Sequence, residues 1–260
     1  MTTVGILDPA TATALAGLLL SMADDEFIIG FIDSEWTGIA PILEEDVAMS
    51  SISQDEIGHA RALYELLAGL RADGRDADAI AYDREPTEYR HCRLLDHPRG
   101  DWADTIARRF LYETADSVRL EALAGCSWTP LAELVGKIRR EERYHLMHVK
   151  AWLERLANGG ADARSRLEAA VDRLAPDAAT VFAPLQDDAA LVGAGILASP
   201  MIDLEARWRT SIEPVLDWLG LRMPPPAANP ERGRVDHSPA FAWLHDEFTT
   251  VRRLDPVATW

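Results

Sequence analysis

A chain of 260 residues has room for one large domain with a substantial core. Apolar residues make up 48% and charged residues 27%, an ordinary globular composition. The formal net charge of −17 argues against nucleic acid or an anionic membrane as the main partner, because the long-range field repels both; a phosphate-bearing ligand needs only a local basic patch.

The N-terminal segment MTTVGILDPA lacks the basic stretch of a signal peptide. The longest apolar run, around Ala14–Met22, ends at Asp24-Asp25 and is too short to span a bilayer. A soluble, cytoplasmic protein is therefore expected. Cys92 and Cys126 form no CxxC pair and no zinc spacing, and are expected to be free thiols.

Helix starts are legible. Asp8-Pro9, Thr129-Pro130, Ser199-Pro200 and Ser238-Pro239 each put a capping side chain before a proline, and Asp101 is a further cap candidate before Trp102. Stops stand at Gly38–Pro41, Gly125–Pro130 and Asn158-Gly159-Gly160. These signals predict long helices near 9–36, 41–71, 102–125 and 130–157. Residues 73–100, with Pro86 and Pro98, read as irregular or broken. Shorter helices are expected near 162–174, 200–220 and 239–253, with Met223–Arg234 a loop. No long run alternates with period two. The expected fold is all-α: a single domain with a ferritin-like four-helix bundle over about 9–157 and a C-terminal helical extension over 161–260.

Apolar stripes recur at helical spacing. On the first helix the line is Leu15, Leu19, Met22, Glu26, Ile29, Asp33, Trp36. On the second it is Met49, Ile52, Glu56, His59, Leu63; on the third Ile106, Phe110, Glu113, Ser117, Leu120. On the fourth it is Leu131, Val135, Ile138, Glu142, His145, Val149, Trp152, Leu156. An acid interrupts each stripe near its middle, and on the second and fourth helices a histidine follows three residues later. Four carboxylates meeting in one core repel each other and lose their hydration, so they need compensating positive charge. Two metal ions would supply it. One Glu from each of two helices plus Glu-x-x-His from each of the other two is a known two-metal ligand set in helical bundles. The predicted metal ligands are thus Glu26, Glu56, His59, Glu113, Glu142 and His145.

Depth provides a second test. The midpoint of 26 and 56 falls at the Gly38–Pro41 break, and that of 113 and 142 falls inside Gly125–Pro130. In antiparallel hairpins the candidates then lie at matching levels. A lone Glu-x-x-His is a weak signal. A third match, Glu88–His91, lies in the proline-flanked segment off any long stripe and is read as chance. Asp55 and Glu141 precede the two motif acids; Asp55 is expected to accept a hydrogen bond from His145, and Glu141 from His59. His148 is the best spare ligand. Together with His91, His97, His237 and His245 it is otherwise read as a surface or core histidine. The tryptophans are read as packing and interface residues.

The sequence resembles the phenylacetic acid catabolic family, the ferritin-like subunits of the phenylacetyl-CoA ring epoxidase, over nearly its whole length. Ser34-Glu35-Trp36, Leu43-Glu44-Glu45-Asp46, Gly58 with Ala60-Arg61, Arg143-Tyr144-His145 and Leu254-Asp255-Pro256…Trp260 are similar to that complex's non-catalytic, structural subunit, which has lost most iron ligands. At the ligand positions the chain is instead similar to the catalytic subunit: Gln54-Asp55-Glu56-Ile57-Gly58-His59, Glu141-Glu142-x-x-His145 and Ala23-Asp24-Asp25-Glu26-Phe27-Ile28-Ile29-Gly30. Phe110-Leu111-Tyr112-Glu113 aligns with a segment whose ligand in the family is an aspartate.

The leading expectation is a non-haem di-iron oxygenase, with two iron ions held by the six residues and Glu56 and Glu142 bridging or flanking them. Manganese is the alternative metal. The resemblance implies dioxygen and an organic substrate, an aromatic acyl-CoA, with electrons from a separate reductase, and a homodimer or a heteromer with a related subunit. The basic run Lys137, Arg139, Arg140, Arg143 is either a CoA-phosphate or partner contact or a solvated face. Tyr112 and Tyr144 neighbour predicted ligands. Two alternatives stay open: a non-catalytic structural subunit, and a ferritin-like iron-oxidising or peroxide-reducing protein.

Overall fold

The computed structural model describes residues 7–186, 188–229 and 232–255. Part of the closing motif, 256–260 with Trp260, therefore lies outside the described residues, as do the first six residues and Pro230 and Glu231 of the predicted loop. Within them the chain is all-helical: α1 (Pro9–Ser34), α2 (Leu43–Arg71), α3 (Ala77–Tyr82), α4 (Trp102–Leu123), α5 (Thr129–Ala157), α6 (Ala161–Leu174), α7 (Ala189–Gly193), α8 (Met201–Trp218) and α9 (Pro239–Leu254). Short 3-10 turns cover Pro86–Glu88, Arg93–Asp96 and Ala175–Phe182. Helix α1 pairs with α2 and α4 with α5, and the two hairpins form the bundle. Helices α6 and α8 cover α4, and α9 closes over α1. No described helix is long and apolar enough to cross a membrane.

Three of the predicted caps form. Asp8 accepts from the amides of Ala10 and Thr11, Asp101 makes a capping box with Asp104, and Ser238 accepts from Phe241. Thr129 and Ser199 do not cap. Helix α5 already begins at Thr129, after Trp128, and α8 begins at Met201, whose amide donates to Asp188 instead. Trp36 falls beyond the end of α1. It is buried in the following turn, where its indole donates to Thr105 Oγ1 at 2.9 Å. On α5 the inner face past Val149 runs through Leu153 and Ala157, and the expected Trp152 and Leu156 are half-buried.

Helix α1 departs furthest from expectation. From Leu18 to Gly30 every residue is buried, so the helix is enclosed on all sides rather than along one stripe. This follows from its central place between α2, α7, α9 and the 93–96 turn. Gly30 permits the tight α1–α2 contact: a Cβ there would lie 2.8 Å from Ile57 and 3.1 Å from Glu56.

Burial on every side leaves the consecutive acids Asp24, Asp25 and Glu26 inside, and each points to a different partner. Asp24 takes Arg84 at 2.5 Å and the Tyr64 hydroxyl. Asp25 takes Arg119 at 2.8 Å and Arg234 at 2.9 Å, and accepts from the Cys92 amide. Burial pushes the Asp25 carboxyl up, but Arg234 and Arg119 outweigh it and hold the group below its ordinary value. Asp25→Asn leaves buried Arg234 without a carboxylate partner and Arg119 with only Asp116, and is expected to cost about 3–5 kcal/mol in urea unfolding.

Asp177, in the 175–182 turn, accepts from His97 and Arg93 and so ties that turn to the 93–97 segment. Its burial raises the carboxyl, yet His97 and Arg93 bring it below the ordinary 3.8. The ionised form is therefore the one the fold favours. Its contribution is full above the unfolded value and fades as pH falls through the lower folded one. Urea midpoints at pH 5 and pH 3 should fall less steeply with acidification in Asp177→Asn than in the parent protein.

Candidate metal centre

The two hairpins bring all six predicted ligands into one buried place. Two groups have ligand atoms within 4.8 Å of one another: Glu26, Glu56, His59 and Glu142, and Glu56, Glu113, Glu142 and His145. Glu56 and Glu142 belong to both, so two groups that could each hold a cation share two carboxylates. All six residues are at most 7% exposed.

Both imidazoles turn Nδ1 inward. His59 Nδ1 lies 3.2 Å from Glu26, 3.4 Å from Glu142 and 3.6 Å from Glu56. His145 Nδ1 lies 3.2 Å from Glu142 and 3.4 Å from Glu56. Both turn Nε2 outward to a carboxylate on the opposite hairpin: His59 to Glu141 at 2.8 Å, His145 to Asp55 at 3.2 Å. These are the pairings expected from the sequence. With Nε2 donating outward, the inner Nδ1 is the nitrogen that would bind a metal once its proton is displaced. Tyr112 donates to Glu26 Oε1 at 2.7 Å. Tyr144 is exposed and takes no part, and His148 sits instead on Glu45 at 2.6 Å. Glu88 caps its own turn through the Glu85 amide, apart from His91.

No motif singles out Arg109, yet it is fully buried at the centre. Its guanidinium bonds Asp33, reaches Glu56 Oε1 at 2.5 Å and also bonds Glu113 Oε1. Asp33 is the second acid of the first stripe, and Arg109 stands one turn before Glu113. An acid on a core face with no cation assigned was the available signal. Arg109 contacts two residues of the Glu113–His145 group and only the shared Glu56 of the other.

The donor set fits cations. Burial, then the Glu56 charge, drives the Glu26 carboxyl well above its ordinary value, and burial with the Glu142 charge does the same to Glu113. Burial also raises Glu56, but Arg109 and the two histidines bring it well below. Glu142 is held at about 2 against its burial and the Glu56 charge, by its neighbours Glu113, His145 and His59. Burial lowers His145, but Glu142 and Glu56 lift it to about 11. Glu56 Oε2, Glu113 Oε2, Glu142 Oε1 and His145 Nδ1 are buried without a hydrogen-bond partner. If Arg109 and Asp33 balance each other, four carboxylates remain, the charge of two dications.

A cavity of about 310 Å³ opens onto this place between α4 and α5. Glu113 and Glu142 form its floor, Leu120 and Leu146 line it, and Arg139, Arg140 and Arg143 stand at its edge. Ser117, expected on a core face, is exposed and lines the same cavity. Lys137 is exposed and does not line it.

Comparison with known proteins adds the following. The family model described as phenylacetic acid catabolic protein matches residues 7–260. The C subunit of the 1,2-phenylacetyl-CoA epoxidase of Escherichia coli (strain K12) is 29% identical over 247 residues, 95% of this chain and 99% of its own. The A subunit of the same enzyme is 26% identical over 204 residues, 76% of this chain and 65% of its own.

Arg109 neutralises part of the acid cluster, so Arg109→Gln should destabilise the metal-free protein by about 3–5 kcal/mol. Metal binds the more anionic cluster better, so added Mn2+ should raise the variant's melting temperature by more than it raises the wild type's. An equal gain in both would remove Arg109 from the electrostatics of the site.

Proposed function

We infer the function from one premise: the chain belongs to the phenylacetic acid catabolic protein family. Its function is that of a non-haem two-iron oxygenase, which uses dioxygen to epoxidise or hydroxylate an organic substrate of the aromatic acyl-CoA class. The observation that carries this is the pair of overlapping ligand groups sharing Glu56 and Glu142. In this role Glu26, Glu56, His59, Glu113, Glu142 and His145 would hold the two irons, with Glu56 and Glu142 the residues common to both groups. Carboxylate and imidazole donors suit iron, with manganese the nearest competitor. Reduced iron would supply the electrons with which dioxygen is activated.

The chain's own residues do the rest. Glu141 and Asp55 fix the planes of His59 and His145 from outside. Arg109 holds one oxygen each of Glu56 and Glu113 and leaves the other unpartnered. Tyr112 donates to Glu26 Oε1, which keeps that carboxylate turned toward the cluster. Burial of these groups limits the access of bulk water to the cavity between α4 and α5. The cavity between α4 and α5 admits the substrate, with its apolar part between Leu120 and Leu146 and an anionic group at Arg139, Arg140 and Arg143. No flavin or iron–sulfur motif stands in the sequence, so a separate reductase supplies electrons, and a related subunit or a second copy completes the assembly.

One observation favours a second reading, a non-catalytic structural subunit of an epoxidase-type complex: the likeness to the C subunit is greater and longer than that to the A subunit. A structural subunit has no need of six convergent ligands. Iron analysis separates the two. The oxygenase should hold two irons per chain, and Glu56→Ala and Glu142→Ala should each abolish two-iron loading. Substoichiometric iron in the wild type would favour the structural subunit, and peroxide-driven turnover without organic substrate would favour an iron-oxidising protein. With a reductase present, Arg140→Glu should raise KM for an aromatic acyl-CoA by roughly tenfold or more, the worth of one charge-assisted contact.

A further inference from the structure

Each of the two overlapping groups offers a cation three carboxylates and one imidazole: Glu26, Glu56, Glu142 and His59 in one, Glu56, Glu113, Glu142 and His145 in the other. By donor type the two positions are equal. Arg109 makes them unequal. It stands four residues before Glu113 on α4, so the two side chains share a helix face. Its Nη2 donates to Glu56 Oε1 at 2.5 Å and to Glu113 Oε1, while Nη1 donates to Asp33. The guanidinium therefore stands between the cluster and Asp33, with its positive charge against the cluster. Glu56 Oε1 is also the oxygen 3.4 Å from His145 Nδ1, which places the guanidinium beside the Glu113–His145 position.

Glu26 and His59 have no arginine or lysine partner among the described residues. Glu26 meets the Tyr112 hydroxyl at 2.7 Å and His59 Nδ1 at 3.2 Å. Arg119, on the same helix as Arg109, pairs with Asp25 and Asp116 and meets this position through the Tyr112 hydroxyl, at 3.4 Å. The local charge is then three carboxylates at one position, and three carboxylates less one guanidinium at the other.

Charge inside a buried site is weakly screened, so a fixed guanidinium beside one position lowers its affinity for a dication more than it lowers that of the other. Arg109 also takes one oxygen from Glu56 and one from Glu113. What the position keeps is one partnerless atom from each of its four residues: Glu56 Oε2, Glu113 Oε2, Glu142 Oε1 and His145 Nδ1. These atoms can take a cation, but in the less anionic setting of the two. The cavity between α4 and α5 reaches the same position: Glu113 and Glu142 line it, and Glu26 and His59 do not.

On the two-metal reading of the site, we propose that Arg109 sets the order in which it fills. The Glu26–His59 position binds its ion first and keeps it. The Glu113–His145 position, with the guanidinium beside it and the cavity in front of it, binds second and more weakly, and exchanges its ion through that cavity. Arg109 is thus a positioning residue that acts on the second ion through Glu56 and Glu113. It leaves one ion fixed and one labile, the labile one on the side of the cavity.

The test is a titration of the metal-free full chain with Mn2+, followed by electron paramagnetic resonance and equilibrium dialysis. Two ions should bind. The first should give the hyperfine-split signal of an isolated ion, and the second should quench it by coupling while binding about tenfold or more weakly. Two cations repel each other in any such site, so single-residue variants carry the assignment. Glu26→Ala should remove the tight step, and Glu113→Ala should remove the weak step and leave the tight one. Arg109→Gln should narrow the gap about fivefold or more, and Arg109→Lys, which keeps the charge, should restore most of it. The carboxylate variants leave Arg109 in place and decide the order even where Arg109→Gln fails to fold. The order is overturned if both steps have one affinity, if the tight step is lost in Glu113→Ala and kept in Glu26→Ala, or if folded Arg109→Gln keeps the wild-type gap. Two ions of equal affinity would leave the two-metal reading standing, whereas a wild type that takes up no Mn2+ overturns both.

Discussion

Carboxylates closed off from water inside a helical bundle are the condition on which the rest of this structure depends. Asp24, Asp25, Glu26 and Asp33 on α1 are all buried, and so are Glu56, Glu113, Asp116 and Glu142 on its neighbours. A buried anion without positive charge beside it costs several kcal/mol, and the protein answers each case locally. Arg84 answers Asp24, Arg119 and Arg234 answer Asp25, and Arg109 answers Asp33. Arg119 also answers Asp116, and the remaining four carboxylates, those of the candidate metal centre, face two imidazoles, Arg109 and one another.

This division has a structural meaning. Buried ion pairs add little net stability compared with apolar residues of the same volume, but they penalise wrong packing heavily. The four arginines reach α1 from three elements: Arg84 from the segment after α3, Arg109 and Arg119 from α4, Arg234 from the segment before α9. A shift of α1 along its axis would break several pairs at once. The pairs thus lock the register that sets Glu26 level with Glu56 and His59, while Gly30 lets α2 come close enough for Glu56 to be shared.

A second, smaller group is His91, Asp96 and His237, where the Asp96 carboxylate meets both histidines and the Ser238 amide at the place where the start of α9 joins the segment before α4. The two clusters differ in construction. The first is built on the middle of four long helices, and the second on turns and helix ends that tertiary packing brings together.

That difference marks what could be read in advance. The sequence by itself determined the long helices, because caps, glycine and proline breaks and 3.6-residue periodicity act within a few residues. It also determined the six convergent side chains, because an acid interrupting an apolar stripe must point into the core, and equal distances from a turn put two such acids at one depth. Only the tertiary structure decided which arginines are inside. Arginine side chains are long enough to reach inward or outward from a helix at little local cost, and Arg109 and Arg119 reach inward. Only the tertiary structure made α1 the central helix, revealed the Arg109–Asp33 pairing, denied Thr129 and Ser199 their caps, and joined His91 to His237 across 146 residues. Such contacts depend on where distant elements pack, and no local pattern encodes that.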